Sequence, residues 1–177
     1  MAENRGKQFE GVIREAFEKV PNTTITRLPD PTQGYLGIRN ICDFIIYHYP
    51  NQYFIECKSV HGNTLSIHSN DPKKRYGAIT NNQWEGMLEV SKVEGVVAGI
   101  ICWWIDHDVT KFIDIEYLYS LRTQGHKSIR FDITSENTPP NYADDYELVD
   151  IHGKKKRVFF DYDMQKFFEE VAYEKGN

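Results

Sequence analysis

Residues 96 to 105, VVAGIICWWI, form a run of ten residues with no charged or polar side chain. A strand with one wet face alternates apolar and polar residues. A strand without a polar face must be covered on both sides, so this run predicts a central position in a mixed sheet with layers packed above and below it. It is far shorter than the roughly 18 to 20 apolar residues of a membrane span, and no run in the chain approaches that length. The N-terminus, MAENRGKQFEG, carries no apolar leader region, which predicts an intracellular, cytoplasmic protein with no membrane partner. At 177 residues, 40% apolar and 14% aromatic, the chain can build a proper core and is not disordered. The expectation is one domain over 1–177, with 61–79 a basic loop and 133–177 a C-terminal extension ending in a helix.

The flanking periodicities supply the covering layers. Residues 5 to 20 place Phe9, Ile13, Ala16, Phe17 and Val20 on one helical stripe, with Asn4 as N-cap and Pro21-Asn22 as the stop. Glu10 falls at the border of that stripe, where it can look towards a sheet edge or pair with Arg14 at i+4. TTITRL, 23 to 28, reads as a strand. Thr80-Asn-Asn-Gln83 opens a helix through Met87 and Leu88 to Gly95. Its T-x-x-Q pattern makes Gln83 a capping-box residue, and a helix start beside a sheet would also let it touch a water or a phosphate. A strand over 111–115, a helix over 115–122 and a last amphipathic helix capped by Asp163 complete the pattern.

Between these lie two strand-like runs, Ile41 to Tyr49 and Gln52 to Val60, separated by turn chemistry at Tyr49-Pro50-Asn51-Gln52. If Tyr49 faces Gln52, Asp43 lies opposite Lys58 and Ile45 opposite Glu56. Side chains alternate with period two, so Asp43, Glu56 and Lys58 share one face while Phe44, Ile46, Ile55 and Cys57 share the other. Two convergent carboxylates repel unless a cation lies between them, and such oxygen ligands suit Mg²⁺ or Mn²⁺. A neighbouring lysine can polarise a water or offset charge developing on phosphorus. The plain alternative is a cross-strand ion pair between Asp43 and Lys58 on a solvated face.

The net charge of −5 argues against a generic nucleic-acid coat protein. Cations nevertheless cluster at Arg5 with Lys7, at Lys73-Lys74-Arg75 and at Lys154 to Arg157. Such clusters are commonly solvated faces, but the 61–79 segment also carries Tyr76, a mixture suited to phosphate and sugar contacts. Cys42, Cys57 and Cys102 lack CxxC spacing and sit in apolar runs, which predicts reduced core residues. The six histidines are scattered over loops and strand ends, without metal-ligand spacing.

The order helix, strand, hairpin bearing D…ExK, helix, buried strand resembles the PD-(D/E)xK nuclease fold, and more closely the RecU-type Holliday junction resolvases. The resemblance runs through Asn4-Arg5-Gly6 with Glu10, Arg27-Leu28-Pro29, Asp43, Glu56-Cys57-Lys58, Asn63-Thr64, Gln83 with Met87, and Gly125-His126-Lys127-Ser128-Ile129. It implies a restriction-endonuclease-like α/β core with a mixed central sheet flanked by helices. It also implies a metal site of Asp43, Glu56 and the Cys57 carbonyl, holding Mg²⁺ with Mn²⁺ able to substitute. Glu10 would assist through water, Lys58 would orient the attacking water, and Arg5 and Gln83 would contact the scissile region. Arg5, Lys7, Thr64, Lys73, Lys74, Arg75 and Lys127 are the candidate DNA contacts. The implied activity is paired nicking of a four-way junction by a homodimer in DNA recombination and repair, with a recombinase or branch-migration helicase as candidate protein partner. The rivals are a restriction-like or repair nuclease acting on duplex DNA and a non-cleaving junction-binding accessory. Two departures stand out: the connection from Pro29 to Asn40 is short where the family carries a long stalk, and Ile41-Cys42 precede Asp43 where the family has a hydroxyl residue. Candidate dimer contacts are the first helix and Trp103, Trp104, Tyr117 and Tyr119, with ordinary core packing as the alternative for these aromatics, at least for one tryptophan.

Overall fold

The computed structural model describes residues 5–29, 40–67, 78–133 and 148–175, with side chains up to residue 172 in the last segment. The expected Asn4 cap, most of the Pro29 to Asn40 connection, the Lys73-Lys74-Arg75 cluster and the Pro-rich stretch after residue 133 lie outside the described residues. The elements run α1 (Arg5–Glu18), β1 (Thr23–Arg27), β2 (Phe44–His48), β3 (Asn51–Val60), β4 (Thr64–Ser66), α2 (Asn81–Ser91), β5 (Val96–Trp104), β6 (Val109–Asp114) and α3 (Ile115–Thr123). They continue with β7 (Ser128–Arg130), β8 (Val149–Asp150), β9 (Gly153–Lys155), β10 (Phe160–Tyr162) and α4 (Met164–Lys175).

Six strands form one mixed sheet in the order β1-β2-β3-β5-β6-β8, in which β3 and β5 are parallel and the other neighbours antiparallel. The apolar run forms β5, inside the sheet, and every residue from Val97 to Trp104 is buried. Alternation sorts its side chains. Val97, Ile101 and Trp103 enter a core with Phe9, Phe17, Phe167 and Phe168 of α1 and α4. Ala98, Ile100, Cys102 and Trp104 enter a second core with Trp84, Met87, Leu118 and Leu121 of α2 and α3. The result is a mixed sheet flanked by helices on both faces, the architecture that a two-sided apolar strand demands.

Several expectations change. The hairpin register is two residues tighter than anticipated: His48 faces Asn51, and Phe44 faces Ile55. The turn is confined to Tyr49 and Pro50, whose peptide bond is cis. Proline has no N–H to give the ladder, so it sits at the tip and leaves Asn51 free to join the strand. A slip of two keeps the parity of the alternation, so the assignment of side chains to faces is unchanged. The 61–79 segment is not loop throughout, because Leu65 and Ile67 are buried and Thr64–Ser66 pairs with β7. The C-terminal segment is woven into the core: β8 joins the sheet edge on β6, and Phe167, Phe168 and Val171 of α4 pack with α1. Trp103, Trp104 and Tyr117 are almost fully buried and Tyr119 alone of that group is exposed, so three of those aromatics are core rather than dimer surface. The apolar stripe of α1 is covered in the same way.

Gly99 makes the closest approach inside the sheet. A β-carbon there would stand 2.4 Å from the carbonyl oxygen of Ile113 and 2.5 Å from the Phe112 ring. Gly99→Ala is expected to destabilise the protein by at least ~2 kcal/mol, read as a lower denaturant midpoint at an unchanged m-value.

Candidate active site

The β2–β3 ladder ends at Phe44 and Ile55, but β3 continues to Val60 with only β5 beside it. The sheet therefore forks at Glu56. There the Cys57 N–H, which a longer β2 would have taken, donates to Asp43 Oδ2 at 2.8 Å. The backbone of Asp43 is held from both sides. Its N–H donates to the Ile55 carbonyl at 3.1 Å, and its carbonyl accepts from the Leu28 N–H at 2.9 Å. Glu56 is only 3% exposed. Two residues on, and so on the same face, the Lys58 ammonium forms an ion pair with Glu56 Oε1.

Two helices complete the surroundings. Gln83 is the capping-box residue of α2: its Oε1 accepts from the Thr80 N–H at 2.9 Å, and its N–H donates to Thr80 Oγ1 at 3.3 Å. With its oxygen so occupied, the carboxamide presents its NH₂ towards Glu56 and, after Lys58, opposes the rise that burial gives that carboxyl. The contact falls short of a well-formed hydrogen bond, since Glu56 Oε2 is buried without a partner among the described residues. Glu10, from α1, pairs with Arg27 at the end of β1 at 3.0 Å, while Arg14 pairs with Glu18 instead. The Glu10–Arg14 pair is therefore not formed, and the charge of Glu10 acts on both Asp43 and Glu56. Arg27 is the neighbour that spacing did not single out. Its position at the end of the strand before the Asp43 segment was the available signal. Asn82 of α2 adds a second unforeseen tie, donating to the Asn40 carbonyl at 3.0 Å just ahead of Asp43.

Burial first, and then the charge of Glu56, push the Asp43 carboxyl up to about 7; Glu10 adds to this, and the Cys57 N–H and Lys58 oppose it. Burial also raises Glu56, with Lys58 as the main opposing charge. Burial pushes the Cys42 thiol up to about 12 and Cys57 well upwards, so both stay protonated and supply no thiolate chemistry.

Two buried carboxyls, both raised by burial and one of them further by the other's charge, beside a buried oxygen with no partner among the described residues, complement a hard cation. Asp43, Glu56 and the Cys57 carbonyl could hold one. Among the described residues no three His, Cys, Asp or Glu side chains converge on a single ion position. Water and substrate oxygens would therefore fill the remaining places, as is usual for Mg²⁺.

Arg5 and Lys7 are exposed on α1 upstream of Glu10, and Thr64 and Lys127 are exposed on the ribbon formed by β4 and β7. Lys73, Lys74 and Arg75 lie outside the described residues. No helix among the described residues is long and apolar enough to cross a membrane.

Among solved structures, the chain is similar to Hjc, a Holliday junction resolvase from the archaeal hyperthermophile Archaeoglobus fulgidus. The identity is 14%, over 71% of this chain and 86% of that one, with a TM-score of 0.44. No protein-family model matches the chain, and no curated protein matches it.

A carboxyl whose pKa is raised by folding favours the folded state while protonated. That contribution is present below the ordinary carboxylate range and is lost as pH rises through about 7. In EDTA, Asp43→Asn is therefore expected to match the wild type near pH 4. Above pH 7 the variant should be more stable by on the order of 2–4 kcal/mol. Mg²⁺ should restore the wild type at that pH and leave the variant unmoved. Thermal melts across pH check both.

Proposed function

We propose that this chain is a metal-dependent DNA endonuclease of the RecU-like, PD-(D/E)xK kind that resolves four-way junctions by paired nicks. The observation that carries the reading is the fork of the sheet, where Asp43 and Glu56 are held together with an unpartnered buried oxygen and the Lys58 ammonium at hand. The choice of a junction as substrate rests on the resemblance carried by Glu10, Gln83 and the Gly125 to Ile129 segment.

A bound Mg²⁺ or Mn²⁺ would supply Lewis-acid neutralisation at the scissile phosphate and a more acidic water. The protein's own groups do the rest. Asp43, fixed by the Cys57 N–H, and Glu56, fixed by Lys58, provide an anionic pair set in position before substrate arrives. Lys58 lies beside Glu56, where its side-chain nitrogen can donate to the attacking water or to a phosphate oxygen. The Gln83 NH₂ faces the same carboxylate from the start of α2 and orients water or phosphate. Glu10 reaches the group through water, with Arg27 holding its carboxylate. Attack of water on phosphorus breaks the bond to the 3′ oxygen, leaving a 3′-hydroxyl and a 5′-phosphate. Resolving a junction takes two symmetric cuts, so two copies related by a dyad are the economical arrangement.

A mobile synthetic junction incubated with Mg²⁺ or EDTA and run on a denaturing gel tests this. The wild type should give paired symmetric nicks only with the cation. Asp43→Asn and Lys58→Ala should lose at least ~10³-fold in rate while still shifting junction DNA in a binding assay. Unchanged cleavage in either variant would sink the assignment. Equal cutting of linear duplex and junction would keep the chemistry but replace the substrate.

A further inference from the structure

The basic stretch Lys154 to Arg157 has no place in the site described above. Residues 153–162, GKKKRVFFDY, carry four cations and one carboxylate in a chain whose net charge is −5. They fold as the β9–β10 hairpin, with Lys155 facing Phe160 and Lys154 facing Asp161, and the turn is closed by the Lys156 N–H on the Phe159 carbonyl at 2.8 Å. Neighbouring carboxylates do not cancel this charge. Asp161 is shared by Lys19 at 2.5 Å and Lys156 at 3.8 Å, and Asp108 pairs with Lys155. Five cations thus face two carboxylates, and all four cations of the hairpin are exposed.

Like charges on adjacent residues of a tight turn repel, and a short two-stranded ribbon is marginal by itself. This ribbon is held by its apolar side. Phe159 packs on Trp103 with ring centres 5.3 Å apart, and the Tyr162 ring lies 6.3 Å from Phe9. The Tyr162 hydroxyl pairs with Thr110 Oγ1 at 2.8 Å, and the Asp163 N–H donates to the His152 carbonyl at 2.8 Å. The cations are therefore presented from an anchored platform. Its place is informative. Trp103 pairs with Ser59, the residue after Lys58, and Phe9 precedes Glu10. The hairpin stands at the carboxyl-terminal end of β3 and β5, the end that carries Glu56 and Lys58, but on the sheet face of Phe9 and Cys57, behind the face from which those two side chains project.

We propose that the β9–β10 hairpin is a clamp on the phosphate backbone of the DNA duplex that leads into this site, with Lys154, Lys156 and Arg157 as its contacts. The proposal rests on the nuclease reading. The segment 153–162 contains no Asn or Gln to read base edges, and Arg157 at the turn offers a planar fork that matches a phosphate. The contact would be independent of sequence and sensitive to salt.

The test is junction affinity as a function of KCl, with steady-state cleavage, for the wild type and K154A/K156A/R157A. Lys155 is kept because it holds Asp108. The log–log salt slope should fall by about 2–3 in magnitude. KM should rise ~10-fold or more while kcat changes by less than ~2-fold, since the contacts lie away from the reacting phosphate. If the triple variant does not fold, Arg157→Ala alone should lower the slope by about 1. Lys92→Ala, at the C-cap of α2, should leave the slope unchanged. A wild type that cleaves, together with a triple variant of unchanged slope and KM, overturns the clamp and leaves the nuclease reading intact. A wild type that never cleaves but binds DNA with a slope dependent on the hairpin removes the nuclease reading and leaves the clamp.

Discussion

The structure around the candidate site depends on one hydrogen bond, from the Cys57 N–H to Asp43 Oδ2. Strand β3 outlasts β2, and an exposed run of unpaired strand N–H groups is costly when buried and hazardous when open. The Asp43 carboxylate answers part of that need by standing in for the missing strand. In doing so it is brought next to Glu56, against the charge repulsion that would otherwise keep the two apart. The fork thus explains both why the carboxylates meet and why one of them is strained electrostatically.

That strain is distributed rather than removed. Lys58 neutralises one oxygen of Glu56, Arg27 neutralises Glu10, and Gln83 lends its amide dipole from the start of α2. Glu56 Oε2 still has no partner among the described residues, and Asp43 is pushed up to about 7. A fold optimised for stability alone would not leave such a group on its central sheet; functional sites are where such costs are retained.

Much of this was legible in the chain because it rests on short-range periodicity. The two-sided apolar run marked the centre of the sheet, and period-two alternation put Asp43, Glu56 and Lys58 on one face even though the register was two residues off. The register itself depends on how Tyr49 and Pro50 turn, which composition leaves open between a two-residue tip and a wider one. Glu10 had Arg14 or a sheet edge in reach, and its pairing with Arg27 at the end of β1 is a tertiary matter that helical spacing does not encode. Strands β4 and β7 were unreadable because three residues with one buried side chain give no period. Trp103 and Trp104 belong to the core by the same two-sided logic that identified β5, so of the two readings open for them the core one holds for both.

The most direct test is a Mn²⁺ titration followed by electron paramagnetic resonance at pH 8, on the wild type and Glu56→Gln. If Asp43 and Glu56 jointly hold a hard cation, the wild type binds saturably at one Mn²⁺ site per chain, Mg²⁺ competes for that site, and the variant loses it. A wild type that leaves all Mn²⁺ free, or a variant that binds as the wild type does, would contradict the account.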